Sequence, residues 1–295
     1  MKARCVTISK FGEKINEDAV FAKDGLIAVS DGAGGGGVFA DKWAQYLVVH
    51  LPDEPILNFS EFDKWLDSIW EQFYNEHEEL AKKQGGLFLN KFYDEGSFAT
   101  LVAVWKVSET ECRWISYGDS VAFCYERAKG ELQHSFTKLV DFNHPPYLIN
   151  CKDPIDEKGF RSGSFMTSKT SVVFCVSDAL AHMILMAYET GLQNMGSHKF
   201  DSEIDEAINA QTKNSQYVKL AKNLISDYDS KIKYCVRLSK SNDTFQSGMN
   251  NHRQRLKLIA DDDYSLAVMD YNEKAFKECI PLIQVSQVPN LPVLI

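Results

Sequence analysis

The sequence predicts an α+β fold in which short antiparallel strands form sheets and a few longer helices pack on them. The first observation is a set of short apolar runs, rich in β-branched and aromatic residues and separated by turn signals, as is typical of strands. The second is that helical periodicity is confined to a few segments, without the regular β-α-β alternation of a parallel sheet. The strand-like runs lie at 5–9, 26–30, 97–107, 112–118, 121–126, 171–177 and 264–271.

The longest predicted helix spans residues 60–84 and begins with a capping box formed by Ser60 and Asp63. Apolar residues then recur at steps of three and four, which gives the helix one face suited to packing on a sheet. A second helix follows residue 38, and a third runs from about 179 to 188. The predicted helices are therefore few and amphipathic.

Residues 190–257 differ from the rest of the chain, because they are polar and rich in lysine and asparagine. We interpret this stretch as a helical and loop insertion between core elements. The 295 residues show no internal repeat and no clear linker. The sequence therefore predicts one domain over residues 1–295 with an insertion at about 190–257.

The composition is ordinary for a globular enzyme, with 44% apolar and 25% charged residues. A net charge of −9 argues against nucleic-acid binding, which favours a basic surface, and suits a site of carboxylates around cations. No window approaches the eighteen apolar residues that span a bilayer, and the amino terminus lacks a secretory signal. Seven scattered cysteines without a C-x-x-C pair predict buried thiols, notably Cys124 and Cys175. Together these features predict a cytoplasmic protein that binds neither nucleic acid nor membranes.

A glycine cluster lies between the strand at 26–30 and the following helix. It matches the G-x-G-x-x-G pattern of dinucleotide-binding enzymes at Gly32, Gly34 and Gly37. Such a unit needs a second parallel strand that ends in an acidic residue. The available acids, Asp53 and Glu54, follow a helix and a proline-flanked turn that leave no room for that strand. A dinucleotide-binding enzyme is therefore the weaker alternative.

Aspartates recur at the ends of predicted strands. Asp31, Asp119 and Asp178 each follow a strand, Asp262 belongs to an acidic run before the last one, and Asp18 precedes another apolar segment. Any one of them could be a turn former or a helix cap. Several together repel one another and require a compensating cation, and hard oxygen ligands suit Mg²⁺ or Mn²⁺. The isolated histidines do not have the spacing of a zinc site.

Six short motifs in order resemble those of the protein phosphatase 2C (PPM) family, the metal-dependent serine/threonine phosphatases. They are N-E-D-A at 16–19, V-S-D-G-A-G-G at 29–35, G-S-F-A-T at 96–100, Y-G-D-S at 117–120, V-S-D-A-L at 176–180 and D-D-Y-S-L-A-V at 262–268. The resemblance covers residues 1–270 and indicates a divergent member of the bacterial type. It implies a four-layer α-β-β-α sandwich of two mostly antiparallel sheets flanked by helices, so residues 1–295 would be a single phosphatase-like catalytic domain.

The resemblance also implies a site for two Mn²⁺ or Mg²⁺ ions. Asp31 resembles the carboxylate that bridges both ions, and the carbonyl of Gly32 resembles a ligand of one of them. Asp178 and Asp262 resemble ligands of the other ion. The implied reaction is hydrolysis of phosphoserine or phosphothreonine by a water that the ions activate, with Asp31 and Asp178 essential and no protein nucleophile.

Further residues would complete this site. Asp119 resembles a ligand of a weaker third ion seen in bacterial members. Glu17 and Asp18 would hold metal-bound waters or complete the shell. The implied partners are a phosphoprotein substrate and a cognate serine/threonine kinase, which indicates a role in signalling.

The motifs also depart from the family pattern. Glu13 stands where the family has its phosphate-binding arginine, so the neighbouring Lys14 is the remaining candidate to bind phosphate, as a point charge. Val121 and Ala179 replace an arginine and a glycine, and His182 replaces an aspartate that would support a third ion. These changes motivate a second hypothesis, a pseudophosphatase that acts as a metal-binding regulatory or interaction module. The intact positions of the proposed metal ligands favour the active enzyme.

Overall fold

The computed structural model describes residues 2–10, 12, 15–194, 228–251 and 262–271. The strands are β1 (Lys2–Ile8), β2 (Ala19–Lys23), β3 (Leu26–Ser30), β4 (Phe98–Ala99), β5 (Leu101–Lys106), β6 (Glu111–Tyr117), β7 (Val121–Glu126), β8 (Glu131–His134), β9 (Ile149–Asn150), β10 (Phe160–Met166), β11 (Ser171–Val176) and β12 (Tyr264–Asp270). The helices are α1 (Ala40–Val49), α2 (Phe59–Gln84), α3 (Gly86–Glu95), α4 (Asp178–Asn194), α5 (Tyr228–Leu238) and α6 (Asn242–Asn250).

Every predicted strand run overlaps a strand of the structure. The run at 97–107 is divided at Thr100 into β4 and β5, because the Thr100 amide donates a hydrogen bond to the Asp31 carbonyl in the loop after β3. Four strands have no counterpart among the predicted runs: β2, β8, β9 and β10. In β10 the sequence FRSGSFM contains glycine and serine at an edge of its sheet, so its strand propensity is weak.

Helix α2 begins at Phe59, and its cap differs from the predicted one. The side chain of Asn58 accepts a hydrogen bond from the Glu61 amide at 3.0 Å, and the Glu61 carboxylate accepts one from the Leu57 amide at 2.7 Å. The predicted capping box of Ser60 and Asp63 is therefore wrong, because asparagine offers an equally good acceptor two residues earlier. Helices α1 and α4 confirm the other two predictions, whereas α3 was not predicted.

The strands form two five-stranded sheets in which every pairing is antiparallel. The first sheet has the order β1-β12-β11-β7-β8 and the second has the order β10-β6-β5-β3-β2. The remaining two strands, β4 and β9, form a separate antiparallel pair. The chain passes from α1 to α2 without a strand between residues 50 and 58. A dinucleotide-binding unit needs a parallel strand at that place, so the alternative drawn from the glycine cluster is wrong.

Three hydrophobic cores separate four layers, which confirms the predicted α-β-β-α sandwich. Helices α1, α2 and α3 cover the outer face of the second sheet through Trp43, Phe62, Phe73 and Phe92. Helices α4, α5 and α6 cover the outer face of the first sheet, where Ile184, Cys235 and Phe245 are buried. The third core lies between the sheets.

Small side chains dominate this layer between the sheets. It includes the thiols of Cys5, Cys112, Cys124 and Cys175. Burial raises the pKa of Cys112 to about 11 and that of Cys124 to about 12, so these thiols stay protonated and unreactive. All six cysteines in the described ranges are free and buried, as predicted.

Part of the predicted insertion packs directly on the sandwich. Helices α5 and α6 contribute to the core beside the first sheet, and the buried Arg4 of β1 donates to the Val236 carbonyl and the Ser239 hydroxyl, both at 2.8 Å. The stretches 195–227 and 252–257 of the predicted insertion lie outside the described residues. Within the ranges that the structure describes, no helix is long and apolar enough to cross a membrane.

Candidate active site

The two sheets bring the predicted acidic residues to one end of the sandwich. Asp31 follows β3, Asp119 lies in the turn between β6 and β7, and Asp178 begins α4 directly after β11. Burial and the nearby carboxylates of Asp18, Asp178, Asp119 and Asp262 raise the pKa of Asp31 well above its usual value. The structure thus confirms that residues far apart in sequence share one electrostatic environment.

The other carboxyl groups of this cluster show the same effect. Burial and the charge of Asp262 raise the pKa of Asp178 to about 6, although the Ala179 amide donates to its carboxylate at 2.5 Å. Burial and the charge of Asp178 raise the pKa of Asp119 to about 7. Since both shifts favour the protonated form, the ionised cluster is under mutual repulsion that a cation would relieve.

Asp18 is the residue with the least compensation. Its side chain is buried, and neither carboxylate oxygen has a hydrogen-bond partner within the described part of the chain. Burial raises its pKa to about 8, although the hydroxyls of Ser265 and Ser177 lie close enough to oppose that rise. A buried carboxylate without donors must be neutralised by a proton or by a cation.

Thr100 fixes the backbone around Asp31. The Thr100 amide donates to the Asp31 carbonyl at 2.8 Å, and the Asp31 amide donates to the Thr100 hydroxyl at 3.2 Å. The same hydroxyl lies 2.7 Å from that of Ser120, beside Asp119. The G-S-F-A-T motif therefore joins two acidic loops, a role that sequence reasoning did not assign to its threonine.

The glycine cluster makes room for Glu17. A Cβ atom on Gly32 would lie 2.6 Å from the Glu17 carbonyl oxygen and 2.7 Å from the Ala40 carbonyl oxygen. A Cβ atom on Gly34 would lie 1.9 Å from the Glu17 carboxylate, to which the Gly34 amide donates. These glycines are therefore required for close approach of an acidic loop, and the dinucleotide pattern is coincidental.

Asp263 holds the segment that carries Glu17. Its carboxylate accepts hydrogen bonds from the Lys10 amide at 2.6 Å and the Glu17 amide at 2.7 Å. The preceding residue, Asp262, accepts a bond from the Asp263 amide at 2.9 Å. Burial raises the pKa of Glu17, and Lys10, whose ammonium lies 3.9 Å from the Glu17 carboxylate, opposes that rise. Sequence reasoning missed the role of Asp263, although the acidic run marked its position.

Arg161 supplies a positive charge beside Asp119. Its guanidinium donates to the Gly118 carbonyl and to the Ser116 hydroxyl, and it stacks over Phe136 with its central carbon 4.8 Å from the ring centre. Its charge lowers the pKa of Asp119, although burial raises that pKa more. Sequence reasoning missed Arg161, because the strand that carries it was not predicted.

His182 follows Asp178 by one helical turn and packs against an aromatic ring. Its imidazole meets Phe142 edge-on with ring centres 5.6 Å apart, and burial lowers its pKa to about 4. The histidine is therefore neutral near pH 7 and belongs to the packing beside the site.

The described carboxylates influence one another's pKa, but they do not by themselves form a complete set of metal ligands. Among the residues whose positions the structure gives, no three His, Cys, Asp or Glu side chains form a group that could hold a metal ion. An ion here would therefore also need backbone carbonyls and waters, as hard cations commonly do. Lys14, the predicted phosphate-binding residue, and Glu13 lie outside the described residues.

Comparison with solved structures identifies the fold. The serine/threonine phosphatase PstP/Ppp of Mycobacterium tuberculosis superposes with a TM-score of 0.50 at 15% identity, over 91% of this chain and 97% of that one. The chain has the fold of the protein phosphatase 2C family. The predicted resemblance to that family is confirmed at the level of the fold.

Two further solved structures are similar to this phosphatase fold. Stp1 from Staphylococcus aureus is 14% identical, with a TM-score of 0.47 over 91% of this chain and 94% of that one. The catalytic domain of PstP in complex with two manganese ions is 16% identical, with a TM-score of 0.48 over 91% and 97%. No protein-family model matches the sequence, and no curated protein matches it.

Proposed function

We propose that the chain is a metal-dependent phosphoprotein phosphatase that hydrolyses phosphoserine and phosphothreonine. The observation that carries this proposal is the buried carboxylate of Asp18, whose pKa is raised to about 8, within a cluster of aspartates in which burial and neighbouring carboxylates raise the pKa. Such a cluster is costly to bury unless cations neutralise it. The proposal is supported by the position of these aspartates at strand ends, with Asp31 after β3 and Asp178 after β11.

The donor set fits two hard divalent cations. Asp31, Asp178 and Asp262 would hold them with their carboxylates, and Gly32 would contribute its carbonyl oxygen. Mn²⁺ or Mg²⁺, when bound, supplies an acidic water as the nucleophile and neutralises charge on phosphoryl oxygens. The contribution of this chain is to fix the positions of its carboxylates, through the contacts of Thr100 with the Asp31 backbone and of the Ala179 amide with Asp178.

The neighbouring acids have supporting roles in the proposal. Glu17, placed over the glycine cluster, and Asp18 would orient waters around the ions. Asp119 would bind a third ion weakly, because Arg161 already lies beside it and His182 offers no carboxylate. Lys14 remains the proposed phosphate-binding residue.

A phosphoprotein is the proposed substrate, and a serine/threonine kinase is the proposed functional counterpart. A site with bound metal ions would recognise mainly the phosphate group, so it needs few contacts with the protein that carries this group. We also propose that the reaction takes place in the cytoplasm. The substrate sequence is left open by the residues of the site.

The test is hydrolysis of p-nitrophenyl phosphate and of a phosphothreonine peptide by the purified chain with Mn²⁺. We expect activity that EDTA removes and Mn²⁺ restores, and we expect Asp31→Asn and Asp178→Asn to abolish it. Asp270→Asn, the same change at the opposite end of the first sheet, is the control and should remain active. Wild-type protein that binds Mn²⁺ but hydrolyses neither substrate would contradict the proposal.

A pseudophosphatase that acts as a binding module is the second candidate. The observation that favours it is the position of Val121, which is fully buried in the core beside the first sheet. Where the family motif has an arginine, this chain therefore has a packing residue and no charge. The assay above separates the two candidates, because a binding module would retain Mn²⁺ affinity without turnover.

A further inference from the structure

We propose that Asp263 is a positioning residue that fixes three acidic loops of the candidate site through the peptide groups of Glu17. The loops are residues 15–18 before β2, residues 31–39 after β3, and residues 262–263 before β12. The inference rests on the proposed function, because it concerns how the chain prepares its oxygen ligands for cations. It assigns a role to an acid that the proposed ligand set leaves out.

The first step is the contact between Asp263 and the amino-terminal segment. One carboxylate oxygen accepts from the Lys10 amide at 2.6 Å and the other accepts from the Glu17 amide at 2.7 Å. Asp263 is 5% exposed, so both bonds are largely shielded from water. Short hydrogen bonds to an ionised carboxylate are about twice as strong as neutral ones. Asp263 therefore holds Lys10, which follows β1, and Glu17, which precedes β2.

The second step is the contact between Glu17 and the glycine cluster. The carbonyl of Glu17 accepts from the Gly32 amide at 3.1 Å. A methyl group on Gly32 would lie 2.6 Å from that carbonyl oxygen, so the two backbones are in close contact. The peptide groups of Glu17 therefore face Asp263 on one side and Gly32 on the other.

The third step is the position of the candidate ligands along this chain of contacts. Asp262 directly precedes Asp263, Asp18 directly follows Glu17, and Asp31 directly precedes Gly32. Each of these three aspartates is therefore next in sequence to Asp263, Glu17 or Gly32, the residues whose hydrogen bonds join the loops. A displacement at Asp263 would move ligands on all three loops at once.

Only a carboxylate can make both contacts of Asp263. It offers an acceptor oxygen to each amide, whereas an asparagine would offer one acceptor and would turn its own N–H groups toward the other amide.

The test is Asp263→Asn, measured by calorimetric titration with Mn²⁺ and by amide hydrogen exchange. We expect Mn²⁺ affinity to fall about tenfold, as is usual when a residue that orients metal ligands is changed. We also expect the Lys10 or the Glu17 amide to exchange about tenfold faster, because one of them loses its acceptor. Asp263→Glu keeps two acceptor oxygens, so its affinity should lie between those of wild type and Asp263→Asn.

Asp270→Asn is the matched control, since it makes the same change at the other end of β12. It should lower the melting temperature and leave Mn²⁺ affinity and the exchange of both amides unchanged. Unchanged Mn²⁺ affinity in Asp263→Asn, or an equal loss in Asp270→Asn, would overturn the proposal. If wild-type protein bound no Mn²⁺, the proposed function would fail, and the exchange rates would still decide whether Asp263 fixes these loops.

Discussion

The two ends of the first sheet treat buried acids in opposite ways. At one end, strands β7, β11 and β12 lie beside Asp119, Asp178 and Asp262, and burial together with neighbouring carboxylates raises the pKa of Asp119 and of Asp178. At the other end, the same strands carry Glu126 and Asp270, and each of these has a full set of donors. The comparison shows that burial alone does not mark a functional acid.

The donors at the second end are specific. Hydroxyls of Ser168, Thr170 and Ser171 and the Ala128 amide all donate to Glu126. Burial alone would raise the pKa of Glu126, but these donors lower it to about 2. Asp270 receives two bonds from the Arg127 guanidinium, at 2.8 and 2.6 Å. An acid whose carboxylate receives hydrogen bonds stabilises the fold, whereas a cluster of acids without such donors is suited to binding a cation.

The largest expected effect comes from Asp31→Asn at the unsatisfied end. Phosphatase activity should fall about a thousandfold or more, since loss of a single preorganised contact to the reacting group already costs 10²–10³-fold. The metal-free variant should nevertheless melt at a higher temperature than wild type, because one repelling charge is gone. Activity assays with Mn²⁺ and thermal melts in EDTA measure the two effects, and a lower melting temperature would break the comparison.

The next effect comes from Asp270→Asn at the satisfied end. Removing one partner of a mostly buried ion pair leaves Arg127 without its carboxylate and should cost about 3 kcal/mol of unfolding free energy. Activity at a temperature well below the melting point should remain near the wild-type value. Urea denaturation gives the unfolding free energy, and a loss of less than about 1 kcal/mol would show that the ion pair of Arg127 and Asp270 does not stabilise the fold appreciably.

Glu126→Gln should have a smaller effect of the same sign. The amide keeps one acceptor oxygen and turns N–H groups toward hydroxyls and an amide that need acceptors, which should cost about 2 kcal/mol. The difference in unfolding free energy should vanish in strong acid. The lowered pKa of Glu126 stabilises the folded state at pH values above the pKa of a glutamate in the unfolded chain, and this stabilisation is lost as the pH falls toward 2. Denaturation at pH 7 and at pH 2.5 measures both quantities.

The last prediction concerns the pH dependence of the metal-free protein. Unfolded aspartates release their protons near pH 3.9, whereas folded Asp178, Asp119 and Asp18 retain theirs until about pH 6, 7 and 8. The folded state therefore binds more protons in this range, and stability should fall as pH rises from about 4 to 8. Melts in EDTA should show a melting temperature that decreases over this pH range and that Mn²⁺ restores at pH 8. A melting temperature that rises with pH would contradict the assignment.

Much of the fold and part of the site could be predicted from the sequence. Short apolar runs predicted the central strands, and aspartates at their ends predicted which carboxylates would meet. Where two neighbouring residues could both make the same contact, the sequence did not show which one does. At the start of α2, Asn58 caps the helix in place of Ser60. The contacts of Asp263 and Arg161 depend on neighbours that are distant in sequence, so only the folded chain identifies them.

The pairing of β1 with β12 has a consequence for biosynthesis. Residues 2–8 form their ladder with residues 264–270, so β1 can pair in this sheet only after β12 has been synthesised. Contacts of such large sequence separation are slow to form. Until residues 264–270 have been made, β1 and β11 lack the strand that lies between them, and Asp262 has only just been added. The acidic loops can therefore all meet only after synthesis has passed this point.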